Sequence, residues 1–361
     1  SDPNDAKDVN FDDALTSILV TPQNLVMTFN GIDSEVSTQL TVTGILIDGS
    51  AINLTDSARG TTYTSNDVRI ASFGIEDGLV FGGQPGNAVV TVKNRRFTVN
   101  VNVTVKQFQA VALSAVSVPG YANNVDVSGD YAFIAAGSSG LQVVDVSNRS
   151  NPTLVAGLDT DGTAIDIKLI GGLAYLADGD QGLKIMDVSD SLKPVLVSRL
   201  DTAGVTQDLA LDSDYAYLAN GAGGVEIVDI KQPKQPKSLS VLGNLGTVAG
   251  IDVEDDRIVV AADSGLVVFD VTNRSAPIRL GSVNIGPVKD VVVDGNYAHV
   301  AAYSSGYRVV DISNPMVPRI TGGDASIAPR DVELTRGFAF YAEQLFPNVV
   351  AFVNVSNPER P

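Results

Sequence analysis

The chain has 361 residues, 44% of them hydrophobic, enough for two domains with a core each. Its 42 acidic and 24 basic residues leave a net charge of −18, which repels nucleic-acid phosphates and anionic membrane surfaces and argues against nucleic-acid binding. The absence of cysteine excludes disulfides, thiolate metal sites and thiol nucleophiles, and no apolar run reaches the length of a membrane-spanning helix, so no transmembrane segment is expected.

Residues 1–12 are polar and acidic, as expected of a flexible tether or a mature N-terminus exposed after processing, and no signal peptide is visible. Residues 13–106 contain short alternating runs, Ser17 to Val20, Leu25 to Phe29, Thr38 to Thr43, Arg69 to Phe73, Ala88 to Val92 and Arg96 to Val105. Gly, Asn, Asp and Pro clusters divide them, the pattern of an all-β sandwich. The join Lys106 to Gln109 lacks the Gly and Ser of a flexible linker, so a restricted orientation between the two domains is expected.

From residue 107 to 361 one pattern recurs at intervals of 40 to 43 residues. Its closing acid falls at Asp145, Asp187, Asp229, Asp270 and Asp311, with Asn354 in the last copy, and a proline follows each seven residues later, from Pro152 to Pro361. A period in the low forties built from short strands predicts a β-propeller, in which each repeat buries its faces only against its neighbours. In the third copy the strands are expected at Asp208 to Leu211, Tyr215 to Ala219, Val225 to Ile230 and Leu239 to Leu242. The segment Val111 to Val116 aligns with an outermost strand, Val195 to Leu200, while the last copy stops before its own. The expectation is six blades, closed by residues 110–117 pairing with the strand near Val349 to Val353, which removes two open sheet edges.

Two resemblances follow from these residues. The ordered signals Thr16 to Pro22, Gln39 to Gly44, Asp48-Gly49, Thr64 to Asn66, Gly78 to Val80, Pro85-Gly86 and Val89 to Val92 resemble the bacterial immunoglobulin-like domain of group 2. Tyr63 stands roughly where that family carries a Trp, a change the core absorbs if its hydroxyl finds a partner. The cores Leu-Gln-Val-Val-Asp145, Leu-Lys-Ile-Met-Asp187, Val-Glu-Ile-Val-Asp229, Leu-Val-Val-Phe-Asp270 and Tyr-Arg-Val-Val-Asp311 resemble the LVIVD repeat of bacterial and archaeal surface proteins. The fold class expected is therefore all-β, an immunoglobulin-like sandwich followed by a six-bladed propeller. The resemblances imply an exported protein, at the cell surface or in the periplasm, with lipid anchoring of the precursor as one mode of attachment, and they bring no catalytic residues.

Candidate sites come from the propeller alignment. Asp166, Asp208, Asp290 and Asp331 open inner strands and converge on one channel mouth. At roughly 10 Å and an effective dielectric near 20, each pair repels by about 1.7 kcal/mol, which invites a cation or a basic partner. Lys289 and Arg330 precede two of them, and bonds to neighbouring backbone amides are the alternative role, so calcium is retained only as a weak option and no other cofactor is expected. Loops on the same face carry Tyr121, Tyr303, Tyr307, Glu343 and Phe346, which with Arg330 suit contact with an envelope or extracellular protein or a glycan. The acid closing each third strand is read as a turn residue, and the single histidine, His299, as a buried, satisfied group. The favoured function is a non-enzymatic binding or adhesion scaffold; the alternative is a hydrolase or lyase using channel carboxylates such as Asp208 and Asp290.

Overall fold

β-Branched residues alternating with polar ones, punctuated by turn formers, produce strands almost throughout. The computed structural model describes residues 14–29, 36–73, 76–107, 113–325, 328–335, 338–343 and 349–355. The chain divides into two units, Ser1–Val111 and Ala112–Pro361, a few residues beyond the boundary read from sequence.

The first unit holds three small sheets. One joins Leu15–Thr21, Thr41–Leu46 and Ala51–Asn53; the second orders Asn24–Phe29, Phe97–Gln107, Gly86–Asn94 and Thr61–Ser65; the third orders Val36–Gln39, Leu79–Gly82 and Ala71–Phe73. Alternate residues point inward, so Ala88, Val90 and Val92 join Val20, Leu40, Val42 and Val101 in one core. The run expected over Thr38 to Thr43 is in fact two strands belonging to different sheets, with buried Leu40 at the changeover. Tyr63 packs against Phe73 and donates its hydroxyl to the Thr55 carbonyl at 2.6 Å, the partner its position requires.

The second unit repeats one four-stranded antiparallel sheet five times and ends, among the described residues, in a three-stranded sheet, Pro329–Thr335, Phe338–Glu343 and Val349–Asn354. In the third repeat the strands are Asp208–Leu211, Tyr215–Ala219, Val225–Asp229 and Lys237–Leu242, close to the sequence expectation. The second and third strands are buried on both faces because each sheet packs on its neighbours. Thus Phe133, Leu141 and Val143 of the first repeat pack on Ile167, Leu176 and Met186 of the second, and Tyr217, Val225 and Ile227 of the third pack on Ile251, Val260 and Phe269 of the fourth. Gly224, at φ +83°, makes the turn into the third strand, and a Cβ there would run into the Leu242 carbonyl.

The closing acids do what their spacing predicts. Asp145, Asp187 and Asp311 each accept from the backbone amide and the hydroxyl of the serine two residues on, at 2.9 to 3.0 Å and 2.6 Å, and Asp229 and Asp270 accept from the Lys231 and Thr272 amides. These bonds hold the Asp145, Asp187, Asp270 and Asp311 carboxyls below the usual carboxylate range.

The expected closing strand differs from the structure. Residues 113–118 form no strand, and none of them pairs with Val349–Asn354, whose described partner is Phe338–Glu343; residues 110–112 lie outside the described residues. Val125 and Val127, the inner-strand residues of the first repeat, remain 54% and 57% exposed, whereas Ile167, Leu209, Ile251, Val291 and Val332 at the position of Val125 are 0 to 3% exposed. Each of those later residues is covered by the sheet before it, a cover that no described residue gives the first repeat.

Candidate functional site

Alternate residues of a strand share a face, so the residues opening the inner strands and those two positions on form two layers. The first layer is Asn124, Asp166, Asp208, Gly250, Asp290 and Asp331; the second is Asp126, Lys168, Ala210, Asp252, Val292 and Glu333. The first strands of the five four-stranded sheets and of the last, three-stranded sheet line one hollow of about 520 Å³, which includes Asp126, Lys168, Asp208, Asp252, Asp290 and Glu333. A second hollow of about 500 Å³ opens among Asn124, Asp166, Gln207, Asp208, Asp290 and Asp331. The structure therefore brings the four aspartates expected at the mouth to one place.

Most of these carboxylates tie one sheet to the next. Leu209 N donates to Asp166 Oδ2 at 3.1 Å, Ile251 N to Asp208 Oδ2 at 2.7 Å and Val332 N to Asp290 Oδ2 at 2.8 Å. Where the first layer has Asn124 or Gly250, the second layer supplies the acid: Leu169 N donates to Asp126 Oδ2 and Val293 N to Asp252 Oδ2, both at 2.7 Å. Five successive junctions thus each carry one carboxylate-to-amide bond across the seam. Sequence reading missed Asp126, Lys168, Asp252 and Glu333. Their signal was present in the two-residue register of the inner strands, which puts them on the face of the aspartates already recognised.

So many enclosed acids alter each other's titration. Burial, then repulsion from Asp166 and Asp290, holds Asp208 well above the usual carboxylate range against the opposing Ile251 amide. Asp290 is raised by burial and by Asp331. Burial pushes Asp252 up to about 6 despite two backbone amides and Lys168, and burial also raises Glu333. Burial disfavours the Lys168 ammonium, but Asp166, Asp208, Glu333 and Asp290 more than compensate and raise its proton affinity.

The aromatic residues singled out from sequence lie in different settings. Tyr121 is 77% exposed, and Tyr303, 38% exposed in a short 3-10 turn, lies under the Arg330 guanidinium at 5.6 Å. Tyr307 is not a surface contact. It opens a third strand whose first residue faces the next sheet, so it is fully buried with Ala301, Val309 and Val332, stacks on Tyr341, and bonds His299 Nδ1 at 2.5 Å. His299 is correspondingly buried, and desolvation pushes its pKa down to about 4, leaving a neutral ring. Glu343 pairs through its backbone with Pro329 and Val349, its side chain lies outside the described residues, and so does all of Phe346.

Away from the channel, Asp178 is fully buried, accepts from Thr160 Oγ1 at 2.7 Å and faces Lys184 Nζ at 3.8 Å. Burial, the dominant effect, pushes its pKa up to about 6. No cluster of three or more His, Cys, Asp and Glu side chains among the described residues has the arrangement of a metal site.

A family model described as the LVIVD repeat matches residues 119–160, 161–202, 203–244, 245–285 and 285–323. No curated protein matches the chain. Among solved structures, the β-propeller domain of Myceliophteria thermophila Cps50 (Swd1) aligns with a TM-score of 0.54 at 13% identity, over 67% of this chain and 85% of that one. The computationally designed Ika8 protein aligns with a TM-score of 0.52 at 13% identity, over 94% of this chain and 97% of that one. A chain of the mitotic checkpoint complex aligns with a TM-score of 0.51 at 13% identity, over 68% and 84%. At such identities these likenesses speak to fold alone, and with the repeated sheets they establish an all-β chain containing a β-propeller.

Proposed function

The chain belongs to the LVIVD repeat family, and on that premise we propose that it is a non-enzymatic, exported binding scaffold whose propeller engages a protein or glycan at the channel mouth. The observation that carries this reading is the mouth itself. An acidic hollow is lined by Asp166, Asp208, Asp290 and Asp331 together with Arg330, whose guanidinium lies over Tyr303, and exposed Tyr121 stands two residues before Asn123 of the same lining. Flat aromatic groups on short loops offer contact area at low entropic cost.

The propeller in this reading has six blades and closes on residues 110–117. Ser114 supports the closure. Its hydroxyl donates to the Arg149 carbonyl at 2.6 Å, as Ser198 donates to Pro233 and Ser240 to Arg274. Ser198 and Ser240 belong to outermost strands, and the three accepting carbonyls each lie four residues after a closing aspartate. Ser114 therefore stands, relative to the first blade, where the outermost strand of a preceding blade stands. The Val349–Asn354 edge is the strand such a segment would complete.

The N-terminal unit is read as a bacterial immunoglobulin-like module that spaces the propeller from its anchor, supported by the small sheets around one core and the satisfied Tyr63 hydroxyl. A carboxylate hydrolase is the weaker reading, because Asp208 and Asp290 each commit an oxygen to a neighbouring backbone amide. Capture from envelope extract and glycan arrays test the proposal: wild type retains a partner, and Tyr121→Ala with Tyr303→Ala lose it at least fivefold. Turnover on a panel of glycosides and esters, abolished by Asp208→Asn, would overturn it in favour of the hydrolase.

A further inference from the structure

Asp166 is 2% exposed, and only one of its two oxygens is satisfied. Oδ2 accepts from Leu209 N, while buried Oδ1 accepts from no donor of the protein, and Asp166 is one of the residues lining the mouth. A buried carboxylate oxygen without a donor is unusual enough to require one. The two cations that line this hollow, Lys289 and Arg330, also have other neighbours. The Arg330 guanidinium lies over Tyr303, and exposed Lys289 lies in the field of Asp263.

We propose that the mouth binds an alkylammonium ion, the head of a lysine side chain or of a polyamine, which donates to Asp166 Oδ1 and is shared with Asp208 while Asp290 and Asp331 contribute charge from the same hollow. This deepens the binding-scaffold reading, on which it rests, by naming the ligand. An ammonium fits better than a metal, since no cluster of metal-ligating side chains is present among the described residues and a hollow of about 500 Å³ admits an alkyl chain as well as its charged head. The chain supplies an internal precedent. Lys168, one layer away in the same field of carboxylates, is held as an ammonium by Asp166, Asp208, Glu333 and Asp290. Without the ammonium a proton on Asp208, whose affinity for it is raised by burial, by Asp166 and Asp290 and by a side-chain hydrogen bond with Asp166, serves the same pair of carboxyls. The incoming ammonium displaces that proton to solvent, so net charge balances and binding strengthens as pH rises.

Titration calorimetry on the full chain, with Nα-acetyl-lysine methylamide and 1,5-diaminopentane as separate probes and calcium chloride as control, tests this in two buffers of different ionisation enthalpy. One-to-one binding of at least one amine is expected, with release of up to one proton. It weakens at least tenfold in Asp166→Asn, which installs the residue type found naturally at Asn124, and several-fold in Asp331→Asn at an exposed site. The monoamine binding more tightly marks a lysine side chain as the source; the diamine doing so marks a polyamine. Absence of binding by both amines, binding unchanged in both variants, or calcium binding more tightly than either amine overturns the proposal. Partner capture that persists through Tyr121 and Tyr303 while both amines fail would remove this ligand and leave the scaffold reading standing.

Discussion

Closure of the propeller predicts a specific cross-link. In the first three blades the residue four before the closing aspartate faces the outermost strand in one register: Leu141 opposite Leu158, Leu183 opposite Leu200 and Val225 opposite Leu242. Transferred to the last blade, with Ser114 at the position of Ser198, that register sets Val350 opposite Val116. Opposed residues on antiparallel strands have Cα atoms about 4.5–5.5 Å apart, within the reach of a disulfide. The chain has no cysteine of its own, so the double variant Val116→Cys with Val350→Cys has a single intramolecular disulfide to form, which a monomer band on the gel separates from cross-linking between molecules. It should cross-link readily, as read by mass spectrometry and a non-reducing gel. Ala115→Cys with Val350→Cys should react far more slowly, because a one-residue shift reverses the side chain's face. The bond would close a loop of about 235 residues, for which the chain-entropy ceiling is about 5 kcal/mol. Engineered bonds often deliver less, and at about 2–4 °C per kcal/mol for a domain of this size, half the ceiling corresponds to a rise in Tm of at least about 5 °C on oxidation. Covering half-exposed Val125 and Val127 adds about 1–2 kcal/mol each to the closed form. Failure of the 116/350 pair to cross-link, or faster reaction of the 115/350 pair, would refute the register and the closure with it.

The buried acids predict that the protein is more stable at pH 5 than at pH 7.5. Asp178 and Asp252, raised to about 6, bind protons in the folded state that the unfolded chain does not hold, so stability is gained as pH falls through 6 toward 4; each contributes about 1.4 kcal/mol at pH 5, and raised Asp208 and Asp290 add to it. His299, lowered to about 4, acts oppositely and removes about 2 kcal/mol as pH falls from 7.5 to 5. Denaturant titrations at the two pH values measure the balance, and lower stability at pH 5 would contradict it. Tyr307→Phe should cost about 1–3 kcal/mol by leaving buried His299 Nδ1 without its partner, seen as a lower denaturant midpoint at unchanged slope. Gly224→Ala should destabilise by well over 1 kcal/mol through its φ of +83° and the Leu242 carbonyl, while Gly129→Ala, at φ +59° with open space around it, should cost only about 1 kcal/mol; thermal melts compare them.

The repeat and its strand order were legible because each sheet sees nearly the same environment on both faces. One spacing of apolar runs, a closing aspartate and a turn glycine therefore satisfies every copy, as the shared burial of Tyr215–Ala219 and Leu173–Ala177 illustrates. The aspartate turns were legible for the same local reason: Asp145 reaches a serine two residues away. The fate of Tyr307 was not legible, since a strand's first residue points to solvent or to the adjacent sheet according to the twist between sheets, and the partners it found at His299 and Tyr341 lie on two different sheets. Nor was the division of work between the two channel layers. Composition alone determined an acidic, cysteine-free chain, and periodicity determined a series of stacked sheets. Only the tertiary structure decided that Asp126 and Asp252 replace the acids missing at Asn124 and Gly250, and that Asp166 keeps one oxygen unanswered, because those outcomes depend on which backbone amide each neighbouring sheet presents across the seam.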